Sequence, residues 1–299
     1  MSGATTARGL FDPELIEAVQ RLRIVARRVA RGGRHAEQRS QDLGAGIEFR
    51  DFRPYSAGDD LRAVDWNVYR RLGRVVLKLF EELEDLPVYL LPDVSASLFF
   101  ETPPRAHAGL RAALALGAIA LGQHDRVGVF SFAEQLDVTL RPQSGRARLF
   151  TLAGALAGLA DGGGTDFAAS IGRFAAMRQR PGLAVVISDF FDPGGLDAVV
   201  GSLKRLRHRL LLVQLVRATD REPDLRGDLR LLDCETGDAA DVSATPAVLD
   251  AYRAAYDRFQ SGLARFAASR RAGLLRLDAD GDVLAQLATL FETGSYELR

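Results

Sequence analysis

In "LLPDVSAS" (residues 90–97) an apolar run turns abruptly into Asp93, Ser95 and Ser97. Along an extended chain side chains two apart share one side, so these three oxygen-bearing groups can converge on a point. One carboxylate and two hydroxyls make a hard-oxygen set, suited to magnesium or manganese and poorly suited to zinc. Three ligands do not fill an octahedral ion, so more oxygens must come from elsewhere at the same edge. Thr165 in "GGGTDF" and Asp189 in "VVISDFFD" can supply them. Each residue alone also has a purely structural reading. Thr165 or Asp166 can N-cap a following helix, Ser97 can help cap one near Thr102, and Asp189 can form a turn. Only the five together point to a metal site.

The elements that must position these residues are legible as alternating patterns. Short branched apolar runs at 87–92, 126–132, 183–190 and 210–216, with a weaker one at 274–280, have the look of strands buried on both faces. Helical stretches fall between them, at about 103–123, 145–160, 166–179, 194–208 and 246–270. Strand–helix alternation predicts an α/β fold with a doubly wound, mostly parallel sheet. "LDVTLRP" (136–142) alternates and is expected as an antiparallel edge strand, and 228–245 as a hairpin turning near Thr236-Gly237-Asp238. Asp12-Pro13, Thr102-Pro103, Asp192-Pro193 and Thr245-Pro246 each read as a cap followed by proline at the first helical position. In an open α/β sheet ligands bind at the carboxyl ends of the strands, where Asp93 and Asp189 stand.

The first 85 residues read as a small α+β arm before residues 86–299. An amphipathic helix from Asp12 to about Arg31 would align Leu15, Val19, Leu22, Ala26 and Val29. Two strand-like pieces then flank a polar, glycine-containing connection. Asp59, Asp60, Arg62, Asp65 and Arg70 are too dense in charge to be buried unpaired. They form either a salt-bridged seam, with Trp66 as apolar anchor, or a docking surface.

Composition bounds the rest. Lys plus Arg and Asp plus Glu both number 39, which gives no overall field toward nucleic acid or an anionic membrane. Arg21, Arg23, Arg27, Arg28, Arg31 and Arg34 form a basic run without aromatic interleaving, which reads as a solvated or paired helix face. One cysteine, Cys234, excludes an internal disulfide and suits a reducing cytoplasm. The apolar stretch "AALALGAIALG" from Ala112 is far shorter than the roughly 20 residues of a spanning helix. The glycines before Thr165 lack the Lys-Ser/Thr ending of a phosphate loop, and no serine stands in a Gly-x-Ser-x-Gly elbow.

Asp-x-Ser-x-Ser, a loop threonine 70 residues after Ser95 and a strand-end aspartate 24 residues later resemble the metal-ion-dependent adhesion site of von Willebrand factor A-type domains. The resemblance implies that Ser95 and Ser97 bind Mg²⁺ (or Mn²⁺) directly and Thr165 directly or through water. Asp93 and Asp189 would hold coordinated waters, and a partner's carboxylate would take the remaining position. Pro92, just before Asp93, departs from the pattern and is expected to shorten the strand or tilt the loop.

Arg53, Tyr55, Gly58, Asp59, Arg62, Asp65, Trp66, Lys78 and Glu82 narrow the resemblance to domain-of-unknown-function family fifty-eight. These are von Willebrand A-like proteins typically encoded beside MoxR-type AAA+ ATPases. The resemblance implies a non-enzymatic, cytoplasmic partner of such an ATPase, binding a client's Asp or Glu in a chaperone-like or complex-maturation system. Two rivals belong to other classes: a metal-dependent enzyme on an anionic small molecule, and a nucleic-acid binder through the Arg-rich helix.

Overall fold

The computed structural model describes residues 11, 14–20, 47–56, 59, 64–82 and 86–292. The chain divides into two units, Ala36–Asp85 and the remainder.

In the remainder, residues 14–20 form helix α1, with Val19 fully buried among core residues and Leu15 and Ile16 packed beside it. The continuation expected through Leu22, Ala26 and Val29, the Arg21–Arg34 basic run and the Asp12-Pro13 start lie outside the described residues.

In the smaller unit, β1 (Ile47–Pro54) pairs antiparallel with β2 (Val76–Glu82), with a register shift between Phe49 and Asp51. Between them α2 (Trp66–Leu72) begins at Asp65, whose carboxylate accepts from the N–H groups of Asn67 and Val68. Gly73 ends the helix at φ 65°, a left-handed conformation that glycine adopts without strain. Arg53 pairs with Asp59 at 2.6 Å within the unit. Trp66 stands edge-on to Tyr69 within the unit. Gly58, Asp60 and Arg62 lie outside the described residues, as do the side chains of Lys78 and Glu82.

The larger unit is built on a six-stranded sheet. Its strands are β3 (Pro87–Pro92), β4 (Arg126–Phe132), β5 (Leu136–Gln143), β6 (Leu183–Ser188), β7 (Arg209–Val216) and β10 (Gly273–Asp278). The order is β10-β7-β6-β3-β4-β5, parallel throughout except for β5 at the edge. This is the doubly wound, mostly parallel α/β sheet that the alternating pattern predicts. β8 (Gly227–Leu232) and β9 (Ala239–Ala244) form the expected hairpin as a separate two-stranded sheet.

Helices cover both faces: α4 (Arg105–Gly122), α5 (Leu149–Ala157), α6 (Phe167–Ala176), α7 (Gly195–Leu203), the short α8 (Ala218–Arg221), α9 (Pro246–Arg270) and α10 (Val283–Glu292). Strand alternation sorts the core into two layers. From β3, Val88 and Leu90 join α4, α5 and α10, while Tyr89 and Leu91 join Phe130, Phe132, Phe167 and Phe174. α4 is buried along nearly its whole length, in keeping with its unbroken apolar run from Ala112 to Gly122. A Cβ on Gly117 would come within 2.6 Å of Leu152 Cδ2, so glycine lets α4 approach closely. Among the described residues no helix is long and apolar enough to cross a membrane.

The start signals are corrected in two places. Thr245 caps α9 with Pro246 following, as expected. α4 instead begins after Pro104, and α7 after Gly194, because Asp192 turns its carboxylate to the N–H groups of Gly194 and Phe167. Pro92 does not shorten β3: it stays in register with Ile187, and Asp93 N–H donates to the Ile187 carbonyl at 2.8 Å.

Candidate metal centre at the carboxyl ends of β3 and β6

β3 lies between β4 and β6, the next strand in sequence on one side and a later one on the other. Its carboxyl end is therefore the switch point at which a doubly wound sheet opens a crevice. Three loops meet there: the one after β3, the one before α6 and the one after β6.

The first loop does not run extended. Asp93 bridges to Phe132, and the chain then turns at Ser95 into a short helix, α3 (Ala96–Phe100). Ser97 is thus helical, and simple strand alternation is not what aligns it. The convergence survives by another route, since Ser95 Oγ and Ser97 Oγ stand 3.2 Å apart. Ser95 occupies the N-cap position of α3, yet its side chain makes no cap hydrogen bond. A serine at that position ordinarily turns its oxygen to the helix N–H groups. Here the hydroxyl faces Ser97 instead, and Ser95 is almost wholly buried.

The second loop is tied to the first. Gly162 N–H donates to Val94 O at 2.8 Å, and Ala96 N–H donates to Gly163 O at 2.7 Å. A Cβ on Gly162 would stand 2.9 Å from Ala133 Cβ and 3.3 Å from Val94 O, so only glycine fits this approach. Asp166 takes the capping role, accepting from Ala169 N–H at 2.8 Å. That leaves Thr165 free of it: its N–H and its hydroxyl both donate to Glu235, each at 2.8 Å.

The third loop carries Asp189, which accepts from Phe191 N–H at 3.0 Å in the turn its residue type favours. Phe190 follows at φ 64°, an uncommon conformation for a bulky residue, with its ring buried against Phe167. Ser188 ties this loop to the first, its hydroxyl donating to Asp93 Oδ2 at 2.6 Å and accepting from Phe190 N–H at 2.8 Å.

Asp93 and Asp189 are both buried, and the charge of Asp93 acts on Asp189. Burial pushes Asp93 up to about 6, against hydrogen bonds from Ser188 and Ser95 that pull it down. Burial, and then the charge of Asp93, pushes Asp189 up to about 7. Arg105, 3.8 Å from Asp189 Oδ2, opposes this, while its guanidinium is also held by Glu101 and Asp220. Two buried carboxylates at the ends of neighbouring strands and two serine hydroxyls turned together are hard-oxygen donors of the kind a small divalent cation takes. The residues that would hold it are Asp93, Ser95, Ser97, Thr165 and Asp189. Among the described residues no group of three His, Cys, Asp or Glu is arranged for a metal.

Three participants escaped the sequence reading. Ser188 had one signal, a polar residue closing an apolar strand just before Asp189. Arg105 had only its place after Thr102-Pro103-Pro104. Glu235 had none, because it lies 70 residues from Thr165 in a hairpin of ordinary appearance.

A family model described as "Protein of unknown function DUF58" matches residues 51–261. An uncharacterized protein of Mycobacterium tuberculosis is 28% identical over 282 residues, covering 92% of this chain and 88% of its own. Among solved structures, the conserved hypothetical protein BatB of Bacteroides thetaiotaomicron aligns at 12% identity and a TM-score of 0.41, over 70% of this chain and 98% of its own. An aerotolerance-related membrane protein of Bacteroides fragilis aligns at 16% identity and a TM-score of 0.39, over 70% of this chain and 99% of its own.

Proposed function

This chain belongs to the DUF58 family, and on that footing we propose that it is a non-enzymatic, Mg²⁺-dependent protein-binding module of the cytoplasm. The observation that carries the proposal is Ser95. A helix N-cap whose hydroxyl leaves the helix N–H groups uncapped and meets the Ser97 hydroxyl instead, with buried Asp93 two residues before it, is a poor capping device and a good start to an oxygen cluster. Mg²⁺ bound there would keep waters and accept an anionic oxygen from outside the chain. The chain's own residues hold and neutralise the ion: Asp93 and Asp189 supply charge, while Ser95, Ser97 and Thr165 supply neutral oxygens. Asp93 is already held by Ser188 and Ser95 N–H, a fixed carboxylate rather than one free to shuttle protons.

The partner reading follows from this chemistry and from the family resemblance. A client donates an Asp or Glu to the cation, and a MoxR-type AAA+ ATPase is the associated motor. Residues Trp66, Tyr69 and Leu72, three apart and exposed on α2, offer an apolar contact surface for such a protein.

A pull-down of the tagged protein from its native lysate, washed with Mg²⁺ and eluted with EDTA, tests the proposal. An ATPase or client released by EDTA from the wild type and not retained by Ser95→Ala supports it. The same proteins retained equally by Ser95→Ala would overturn it.

A further inference from the structure

Glu235 sits in the turn between β8 and β9, and both of its carboxylate oxygens are taken by one residue of the candidate metal centre. Thr165 N–H donates to Oε2 and Thr165 Oγ1 to Oε1, each at 2.8 Å. A hydroxyl that donates its single proton this way keeps its lone pairs, so Thr165 can serve Glu235 and a cation together. Glu235 also lies close enough for its negative charge to act on Asp93. Among the described residues Glu235 makes no ion pair, and the Arg105 guanidinium near Asp189 is committed to Glu101 and Asp220. Glu235 thus brings a further carboxylate to Thr165, within reach of the charge on Asp93, and a divalent cation bound there would offset this negative charge.

The hairpin is shaped to present this side chain. Asp233 organises the turn by accepting from the N–H groups of Glu235, at 2.7 Å, and Thr236, at 3.0 Å. Gly237, at φ 76°, donates to the Asp233 carbonyl, and Asp238 N–H donates to Thr236 Oγ1. The tip thus keeps its form by bonds within itself. Its two strands pair only with each other and are largely exposed, so the hairpin can leave Thr165 without breaking the main sheet.

We propose that Glu235 is a tethered carboxylate that occupies the ligand face of the Asp93–Ser95–Ser97–Thr165–Asp189 centre and yields it to an acidic side chain of a partner. The inference rests on the reading of those five residues as a divalent-cation site. It makes recognition a competition: a tethered group holds the position at high effective concentration, and an incoming carboxylate must displace it.

Mn²⁺ and acetate are sufficient probes. Electron paramagnetic resonance of free Mn²⁺ reports binding, and water-proton relaxation reports solvent reaching the bound ion. Wild type and Glu235→Gln are expected to bind Mn²⁺, with relaxation enhanced in Glu235→Gln as water replaces the carboxylate. Acetate should quench that enhancement at a concentration about tenfold lower than in the wild type. Replacing residues 233–238 with a two-residue Asn-Gly turn should act as Glu235→Gln does.

Relaxation and acetate response unchanged in both variants would overturn the inference and leave the cation site standing. Loss of Mn²⁺ affinity in Glu235→Gln as large as in Ser95→Ala would overturn it too, since Glu235 would then be a permanent ligand. No Mn²⁺ binding by the wild type, or equal binding by Ser95→Ala, would sink the cation site and this inference together.

Discussion

At the scale of single residues, two buried aspartates set the behaviour of the centre. Asp93 and Asp189 are raised above the ordinary carboxylate value of 3.8, so the folded chain binds more protons than the unfolded one between about pH 4 and 7. Stability therefore falls as pH rises through that window, the reverse of a salt-bridged carboxylate. In EDTA the melting temperature should drop from pH 4 toward pH 7 through these two groups, and Asp93→Asn with Asp189→Asn should flatten the drop. Mg²⁺ competes with the same protons, so its stabilising effect should be near zero at pH 5 and greatest above pH 7. A Mg²⁺ effect independent of pH, followed by scanning calorimetry, would contradict this assignment. Ser95→Ala should weaken Mg²⁺ binding by at least ~10-fold, yet change stability by no more than about 1 kcal/mol. Titration calorimetry and denaturant unfolding separate the two effects. Asp93, Ser95, Ser97, Thr165 and Asp189 stand out in the sequence because their types and order are unusual together. Ser188, Arg105 and Glu235 do not, since each acts through a partner that only the folded chain brings near.

The elements around the centre act as braces. The loop before α6 depends on Gly162, where any side chain meets Ala133 Cβ and the Val94 backbone, neither of which can swing aside. Gly162→Val should cost about 1–3 kcal/mol and should also weaken Mg²⁺ binding, because Thr165 rides on the displaced loop. Normal metal affinity in a destabilised Gly162→Val would show that the loop is not part of the site. Arg105, at the start of α4, joins Glu101, Asp220 and the edge of Asp189 in one buried network. Arg105→Met takes from Asp220 its paired guanidinium and leaves Glu101 only Arg217, and about 3 kcal/mol of stability should be lost in urea unfolding. The strands were readable because burial on both faces leaves continuous apolar runs, and α9 because Thr245-Pro246 marks its start. α3 was not, since five residues are too few to show a helical period, and that is why Ser97 seemed to lie on an extended chain. α10, with Val283 and Leu287 buried, is short enough that its apolar positions do not stand apart from loop sequence.

For the whole molecule, the alternation of strands and helices fixes the class of fold, and the antiparallel edge follows from the polar–apolar alternation of "LDVTLRP". The order of the parallel strands is a product of long-range pairing, which local pattern does not encode. It is this order that puts β3 between β4 and β6, and so brings Asp93 and Asp189 to one crevice. The recognition role proposed for the chain depends on that crevice holding a divalent cation. The measurement that bears on this most directly is anomalous diffraction from crystals grown with Mn²⁺. The account predicts a single strong peak among the side-chain oxygens of Asp93, Ser95, Ser97, Thr165 and Asp189, absent from crystals of Ser95→Ala. Density at that spot with no anomalous signal, or Mn²⁺ bound only elsewhere on the chain, would contradict it.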